Sequence, residues 1–250
     1  MKKVIFNKKR MSVQLQRLLM MMATIMMAFA TLTACDILED NNDEGDKEEE
    51  GGNGGGGVSG KRLKSYIVSS PENTIRSEYS YNSDGTLKRT DNYYHESSKL
   101  IQYVIYTNNS DGTVAKQEQY IEGYSLITVW NFTNDSNKKP LKRQGTSSMD
   151  GVTMGSSIVD YTFQNGRKTR EVVKDYSGTV MQSETQYEFN YGSNGRRTTT
   201  VQTINGKSTQ YTRTYNSDGT LQKVISPSTT ITFTWENAKP PHDFDDYAQF

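Results

Sequence analysis

The segment Tyr81-Asn82-Ser83-Asp84-Gly85-Thr86-Leu87 sets the architecture of this chain, because its pattern returns along the sequence. A nearly identical copy is Tyr215-Asn216-Ser217-Asp218-Gly219-Thr220-Leu221. Glycine after Asp or Asn readily supplies the positive φ angle that tight hairpin turns need. Each copy therefore predicts a turn between two antiparallel strands. The turn glycines of this series are Gly85, Gly112, Gly166, Gly195 and Gly219.

A second series of turn signals falls between the members of the first. Its members are Glu122-Gly123, Asp150-Gly151, Ser177-Gly178 and Asn205-Gly206. The segments between turns carry aromatic residues at every second position, as in Tyr187, Phe189 and Tyr191, with polar and charged residues in between. This period of two is typical of strands that bury one face. Because no stretch beyond the N-terminal leader has a convincing helical period, we predict an all-β domain of about 12 to 14 antiparallel strands joined as a meander.

Such a wide sheet has to bury its aromatic face against itself. Open sheets rarely exceed about 10 strands, and the sequence offers no helices to cover the apolar side. We therefore predict that the repeated hairpins curl into an open or closed barrel-like sheet, with a two-layer β-sandwich as the alternative. Most of the 16 tyrosines then belong to the core. The tyrosines outside the regular alternation are candidates for a recognition surface: Tyr94, Tyr106, Tyr120, Tyr124 and Tyr176.

The N-terminal leader has the composition of a secretory signal. Basic residues up to Arg17 precede an apolar stretch from Leu18 to Ala30, which is too short to cross a bilayer comfortably. Leu32-Thr33-Ala34-Cys35 resembles the bacterial lipobox, in which signal peptidase cleaves before a cysteine that carries a diacylglycerol. The resemblance implies lipidation of Cys35, and the alternative is a free thiol beside an ordinary cleavage site. Translation from Met11 instead of Met1 would preserve this signal.

An acidic and then glycine-rich stretch follows the cysteine. Residues 36–50 carry nine acidic side chains against Lys47, and residues 51–57 are almost entirely glycine. Because like charges repel and neither segment can bury apolar surface, we expect a disordered tether. The acidic stretch also resembles the export signal of Bacteroidetes lipoproteins, which implies an outer-membrane protein that faces the cell surface; a periplasm-facing protein is the alternative. The predicted organisation is a signal peptide at 1–34, a lipidated cysteine and tether at 35–60, a hairpin-repeat domain at 61–236 and a C-terminal tail at 237–250.

The hairpin segments resemble the tyrosine-aspartate (YD) repeats of the Rhs family, whose core is Tyr-Asp-x-x-Gly-Arg-Leu. The segments that begin at Tyr81 and Tyr215 match its tyrosine, glycine and leucine, whereas Tyr191-Gly192-Ser193-Asn194-Gly195-Arg196 retains the arginine. The resemblance implies a sheet built from hairpins. Full Rhs proteins enclose a toxin in a large shell, and this chain is too short for that function to transfer. The whole organisation also resembles uncharacterised Bacteroidetes lipoproteins that carry YD-like hairpins.

Signals for catalysis and metal binding are weak. His95 and His242 lie in no nucleophile or zinc-ligand motif, and a single cysteine excludes an intrachain disulfide. Glu184 and Glu188 share a strand face, which is a minimal pattern for glycoside hydrolysis. We therefore expect no enzyme activity, no cofactor and no metal. The chain after residue 50 is nearly neutral, so we also expect no binding to nucleic acid.

These features together predict a lipid-anchored, surface-exposed module that binds an extracellular ligand without catalysing a reaction. A glycan or a partner protein in an envelope complex suits such display, and the identity of the ligand stays open. The alternative is a structural scaffold protein of the cell envelope. A glycoside hydrolase that uses Glu184 and Glu188 is the least favoured function.

Overall fold

Fourteen strands follow one another along residues 60–238, the part of the chain that the computed structural model describes. Their bounds are β1 Lys61–Ser69, β2 Thr74–Tyr81, β3 Leu87–Tyr94, β4 Leu100–Asn108, β5 Val114–Ile121, β6 Leu126–Asn134, β7 Pro140–Met149, β8 Val152–Gln164, β9 Arg167–Ser177, β10 Val180–Tyr191, β11 Arg197–Ile204, β12 Lys207–Tyr215, β13 Leu221–Ile225 and β14 Thr230–Asn237. The predicted signal peptide, the Leu32-Thr33-Ala34-Cys35 motif, the tether before residue 60 and the tail after residue 238 lie outside the described residues. Residues 60–238 include no helix with the length and apolar character needed to cross a membrane.

The sheet closes on itself. Each strand pairs antiparallel with its neighbours in the sequence, and β14 pairs with β1. The predicted meander of about 12 to 14 strands is confirmed, with 14 strands in a closed barrel, and the two-layer sandwich is excluded. The strands differ in length, since β8 has 13 residues and β10 has 12, whereas β13 has 5. The wall around β8 to β10 is therefore the tallest part of the barrel.

The two ends of the barrel are built from different turns. At the end named here the base end, the chain enters at Lys61 and leaves at Asn237, and Gly60 O accepts a hydrogen bond from Ala238 N (2.8 Å). The first series of turns lies at this end, at 82–86, 109–113, 135–139, 165–166, 192–196 and 216–220. The second series lies at the opposite end, named the tip end. Short tip-end turns such as Asp150-Gly151 have positive φ at both residues.

The closed barrel of 14 strands encloses a lumen wide enough to hold large side chains. A barrel of about 8 strands leaves just enough room for side chains, and one of about 16 to 18 strands leaves a channel. Residues that pair directly across two antiparallel strands share one side of the sheet. The inward side contains the aromatic residues predicted from the alternation: Tyr79, Tyr81, Trp130, Phe132, Tyr161, Phe163, Tyr187, Phe189, Tyr191, Tyr211, Tyr215, Phe233 and Trp235. Tyr66, Tyr211 and Phe233 pack there with aliphatic residues such as Leu63 and Ile231.

A β-bulge beside the base-end turns interrupts the alternation. Between β2 and β3 the register shifts by one residue, so that Tyr81 pairs with Leu87 and Lys88 is left over. The shift turns Leu87 into the lumen, where it is only 2% exposed. The same shift beside later turns buries Lys168 and Arg197. The expectation that charged residues lie on the outer face is therefore wrong at these positions, because a bulge adds one residue to the period of two.

In six of the seven hairpins, a side-chain hydrogen bond joins the two strands at the base end. The last residue of the even-numbered strand donates to a backbone carbonyl near the start of the preceding strand. Tyr81 Oη donates to Leu63 O (2.5 Å), and Tyr215 Oη donates to Arg197 O (2.7 Å). These bonds are named base clasps. Equivalent clasps join Asn108 Nδ2 to Leu87 O (2.7 Å), Asn134 Nδ2 to Val114 O (3.3 Å), Tyr191 Oη to Lys168 O (2.7 Å) and, two residues before the end of β14, Trp235 Nε1 to Leu221 O (2.8 Å). In the remaining hairpin, β7–β8, Phe163 takes this place and has no donor.

The five-residue turns at the base end repeat one hydrogen-bond scheme. Asp84 Oδ1 accepts from the backbone N (2.9 Å) and the Oγ1 (2.7 Å) of Thr86. The turns that contain Asp111 and Asp218 repeat both contacts. These donors hold the pKa of Asp84 below its ordinary value, whereas at Asp218 the main cause of a lowered pKa is Lys61, whose Nζ lies 2.6 Å away. Among all the base-end turns, the glycines with positive φ are Gly85, Gly112, Gly166, Gly195 and Gly219.

Replacing Tyr215 by Phe should lower the free energy of unfolding by about 1 to 2 kcal/mol, because Arg197 O loses its clasp donor while the ring stays in place. Tyr93→Phe is the matched control, since Tyr93 lies on the outer face of β3. Urea unfolding of both variants measures the difference. Equal changes in the two variants would show that the clasp adds no stability of its own.

Candidate functional site

The lumen toward the base end holds cations that lie over aromatic rings. Arg143 Cζ lies 4.4 Å from the ring centroid of Trp130, and Arg197 Cζ lies 4.1 Å from that of Phe189. Lys168 Nζ lies 5.4 Å from the same Phe189 ring. A cation over the face of a ring is stabilised by roughly 0.5 to 2 kcal/mol, more when water is excluded. The protein's own side chains therefore occupy this half of the lumen.

The buried charges inside the described barrel are mainly positive. Arg143, Lys168, Arg197 and Arg213 are each at most 6% exposed, and Glu171 is the carboxylate buried among them. Lys168 Nζ lies 3.7 Å from Glu171 Oε2. Burial of charge is costly unless the charges interact with one another or with polar groups and rings. The excess of cations over carboxylates gives this part of the lumen a positive potential.

Tyrosine hydroxyls form a neutral layer in the middle of the lumen. Gln202 Nε2 donates to Tyr187 Oη (3.1 Å), and Tyr211 Oη donates to Gln202 Oε1 (3.1 Å). Desolvation raises the pKa of Tyr106 to about 12. Burial, and then the charge of Glu171, raises the pKa of Tyr187 well above its ordinary value. These phenols therefore stay protonated at any physiological pH.

A polar recess lies on the inner wall of β8 to β10 toward the tip end. Ser157, Asp175 and Ser183 pair across these strands and share the inward side with the fully buried Val159. Ser157 Oγ donates to Asp175 Oδ1 (2.6 Å), and Ser183 Oγ donates to Asp175 Oδ2 (2.7 Å). All three side chains belong to partly exposed residues. Gly155, the next inward position of β8 toward the tip, adds no side chain to this wall. The three residues are named here the tip recess.

Neutral polar side chains continue around the lumen from the tip recess. Thr128 Oγ1 and Ser147 Oγ lie 2.9 Å apart on β6 and β7. Farther round, Gln119 Nε2 donates to Gln102 Oε1 (2.9 Å). Along β4 to β10, the tip end of the lumen thus offers hydroxyl and amide groups. Near β13, β14 and β1, the buried Val68, Val224 and Ile231 fill it instead.

Exposed apolar side chains are concentrated at the tip end. Six of the seven large apolar residues that are exposed in the described chain lie in or beside tip-end turns: Tyr94, Tyr124, Val152, Val180, Met181 and Ile225. Val152 is 63% exposed and Val180 is 62% exposed, and both border the tall wall that carries the tip recess. The seventh, Leu141, is the extra residue of a bulge at the base end. The six residues belong to five different turns, of which the neighbouring β7–β8 and β9–β10 turns hold Val152, Val180 and Met181, and this set is named the tip rim.

The tyrosines that the sequence singles out do not share one surface. Tyr106 points into the lumen, because it pairs with the buried Gln117. Tyr120 lies on the outer face and stacks on Tyr103, with ring centroids 4.8 Å apart. The remaining three, Tyr94, Tyr124 and Tyr176, lie at or near the tip end. The tip end therefore gathers more of the candidates than the outer face does.

Glu184 and Glu188 lie on the outer face of β10. A strand rises about 3.4 Å per residue, so their Cα atoms stand about 14 Å apart. The carboxyl groups of a glycosidase pair lie about 5 to 9.5 Å apart, so both side chains would have to bend toward each other to reach that range. Glu184 Oε1 accepts from Gln186 Nε2 (2.6 Å), and Glu188 is the cross-strand partner of Arg170. Among residues 60–238, no three or more His, Cys, Asp or Glu side chains are grouped to hold a metal ion. His95 lies in a tip-end turn, and His242 lies outside the described residues.

Sequence reasoning missed the tip recess. Asp175 and Ser183 occupy the same alternating positions as apolar residues farther along their strands, such as Val173 and Tyr187. A polar residue at an apolar position, close to a turn, is the signal that indicates a wet part of a lumen.

No protein-family model matches the sequence, and no curated protein matches it. In structure, the chain is similar to a porin-like protein from Bacteroides uniformis ATCC 8492, with a TM-score of 0.43 and 12% identity over 70% of this chain and 96% of that chain. It is also similar to part of a chain of TcdB2-TccC3-TEV (TM-score 0.34, 8% identity, 70% of this chain and 10% of that chain). A third similarity is to part of a chain of the Photorhabdus luminescens Tc holotoxin pore (TM-score 0.28, 14% identity, 66% of this chain and 13% of that chain). No function is carried over from these proteins.

The buried phenols make the barrel sensitive to alkali. An unfolded tyrosine loses its proton near its ordinary pKa of 10.0, whereas Tyr106 in the barrel keeps it until about 12. Its stabilising contribution is therefore complete below pH 10 and is lost as the pH rises through about 12, by up to about 1.4 kcal/mol per pH unit. Urea unfolding at several pH values in this range gives the slope of the unfolding free energy against pH. That slope should be shallower in Tyr106→Phe than in the wild type, by the equivalent of up to one proton. Tyr124→Phe, which removes an exposed hydroxyl from a tip-end turn, is the control, and an equal effect in both variants would contradict the prediction.

Proposed function

We propose that this protein is a lipid-anchored binding module of the bacterial outer membrane that faces the cell surface and captures an extracellular ligand without transforming it. Cys35 carries the lipid, and residues 36–60 form the tether between the membrane and the barrel. The tip end carries the binding surface. The ligand is a glycan or a partner protein of the envelope.

The observation that carries this proposal is the difference between the two ends of the barrel. The tether joins at Lys61, so the base end is the one connected to the anchor. Side chains such as Arg143 and Arg197 occupy the lumen on that side. The tip end lies on the side away from the attachment point and carries the partly exposed tip recess and the tip rim. A tether of this length spans about 27 Å as a flexible coil, which leaves the tip end free to meet a ligand.

The outer face favours contact with water over contact with lipid. Cross-strand pairs on that face include Glu184 with Lys174, Glu188 with Arg170, and Thr199 with Thr212. A barrel that spans a bilayer needs an outward apolar band about 25 Å tall. We therefore infer that the barrel stands outside the bilayer and that the lipid on Cys35, not the sheet, holds it there.

A structural scaffold of the envelope is the second candidate function. The tip rim is the observation in its favour, because exposed apolar surface also suits contact between two copies of the barrel. Sedimentation of the soluble chain of residues 36–250 separates the two functions. A monomer supports the binding module. Self-association that disappears in Val180→Asp supports the scaffold instead.

Cys35→Ala should move the protein from the membrane fraction to the soluble fraction. Each acyl methylene contributes about 0.8 kcal/mol to membrane binding, and two or three chains hold a protein effectively permanently. Fractionation of cells that express the variant measures this, with Ser59→Ala in the tether as the control. Membrane retention of Cys35→Ala would refute lipidation as the anchor.

The double variant Val152→Asp/Val180→Asp should weaken ligand capture about tenfold or more, because it places two charges where apolar contacts would be desolvated. The soluble chain of residues 36–250 is applied to a glycan array and used in pull-downs from envelope extracts. Leu141→Asp is the matched control, since it adds a charge at an exposed apolar residue of the base end. The absence of any bound partner in both assays, or an equal loss in the control, would count against a tip-end binding surface.

A further inference from the structure

We propose that the tip recess binds a neutral glycan through two adjacent hydroxyl groups of one sugar ring. This inference rests on the proposed function and specifies its ligand class. It is carried by the arrangement of Ser157, Asp175 and Ser183, in which each serine donates to a different oxygen of the same carboxylate.

The tip recess offers acceptors rather than donors. Because both serine hydroxyls donate to Asp175, the lone pairs that remain on Ser157 Oγ and Ser183 Oγ are acceptors. Each oxygen of Asp175 also keeps a lone pair after accepting from one serine. Among the described residues, Asp175 forms no ion pair with a lysine or arginine. A ligand must therefore bring donors, and two neighbouring sugar hydroxyls can each donate to one oxygen of a carboxylate.

Charge favours a neutral donor over a charged one. Asp175 repels an anionic sugar at the recess itself. A cationic ligand is attracted by Asp175, but it loses its hydration on entering the lumen. It also meets the positive potential of the buried cations, such as Arg143 and Lys168, which are less screened there than in water. Sugar hydroxyls form the same hydrogen bonds with a smaller desolvation cost.

The surroundings of the tip recess match the apolar face of a sugar ring. One step deeper on the inner wall, Val173 pairs with Val159 and with Thr185. On the tip side, Val152 and Val180 are exposed at the neighbouring turns. A sugar ring presents C–H groups between its hydroxyls, and burial of that surface contributes roughly 25 cal/mol per Å². Polar acceptors flanked by aliphatic carbon therefore address both kinds of surface on the ligand.

Calorimetric titration of the soluble chain of residues 36–250 tests the proposal with defined oligosaccharides. The neutral probes are xylo-, manno- and gluco-oligosaccharides, the anionic probe is oligogalacturonate, and the cationic probe is a glucosamine oligomer. We expect a neutral probe to bind at least about tenfold more tightly than either charged probe. Asp175→Asn should weaken that binding by about 10- to 100-fold, because charge-assisted hydrogen bonds are lost.

Two further variants control the interpretation. Asp160→Asn removes a carboxylate from the exposed outer face of β8 and should change affinity by less than about twofold. Ser157→Ala/Ser183→Ala removes two acceptors while leaving the charge of Asp175, and it decides the question if Asp175→Asn fails to fold. Circular dichroism confirms the fold of each variant.

The outcomes separate this inference from the proposed function. Equal affinity of the recess variants and the wild type, or a preference for either charged probe, overturns the inference. So does binding to none of the neutral probes. In each case, rim-dependent capture of another partner would leave the proposed function standing. Loss of every interaction, including those on the array and in the pull-down, contradicts the proposed function as well.

Discussion

The base clasp is the contact on which the rest of the barrel depends. Each hairpin is joined covalently by its tip-end turn, but its two strands must also be held together at the base end. There the bulge turns residues such as Leu87 and Arg197 into the lumen. A side-chain donor then satisfies the carbonyl of that residue, as a buried backbone acceptor requires. Because a bulge also increases the local twist, its repetition around the sheet bends the meander toward closure.

The side chains that line the lumen at the base end differ in chemistry from those at the tip end of β8 to β10. Toward the base end, the bulged positions supply Lys168 and Arg197, and the rings of the clasp region cover their charges. These side chains span a lumen that aliphatic residues alone would leave partly empty. Toward the tip end, β8 to β10 carry short hydroxyl side chains and Gly155 instead, whereas Val68 and Ile231 pack on the side of β1 and β14. One sheet therefore combines a packed base end with a partly exposed polar wall at the tip end of β8 to β10.

The turns and strands of this fold could be predicted because their causes are local. Glycine after Asp or Asn marks a turn, and the period of two marks a strand, so both are visible within about ten residues of sequence. Local signals do not distinguish an open sheet from a closed barrel, because closure depends on the pairing of β1 with β14. Arg62 and Glu236 meet there across 174 residues of chain, through the accumulated twist of every strand between them. The inward direction of Lys168 could not be predicted for another reason, since a bulge is invisible to a simple alternation. The sequence does not mark Asp175 either, because a polar residue at an inward position near a strand end also fits simple contact with solvent.

The barrel is a series of two-stranded units, most of which carry a base clasp of their own. Each two-stranded unit bonds only to its immediate neighbours, and the first and last units meet where the barrel begins at Lys61 and ends at Asn237. Duplication or deletion of a single unit in the gene would therefore change the girth of the cylinder by two strands and leave every remaining junction of the same kind. The degenerate copies of one motif along this chain are what such a history of tandem copying would leave behind.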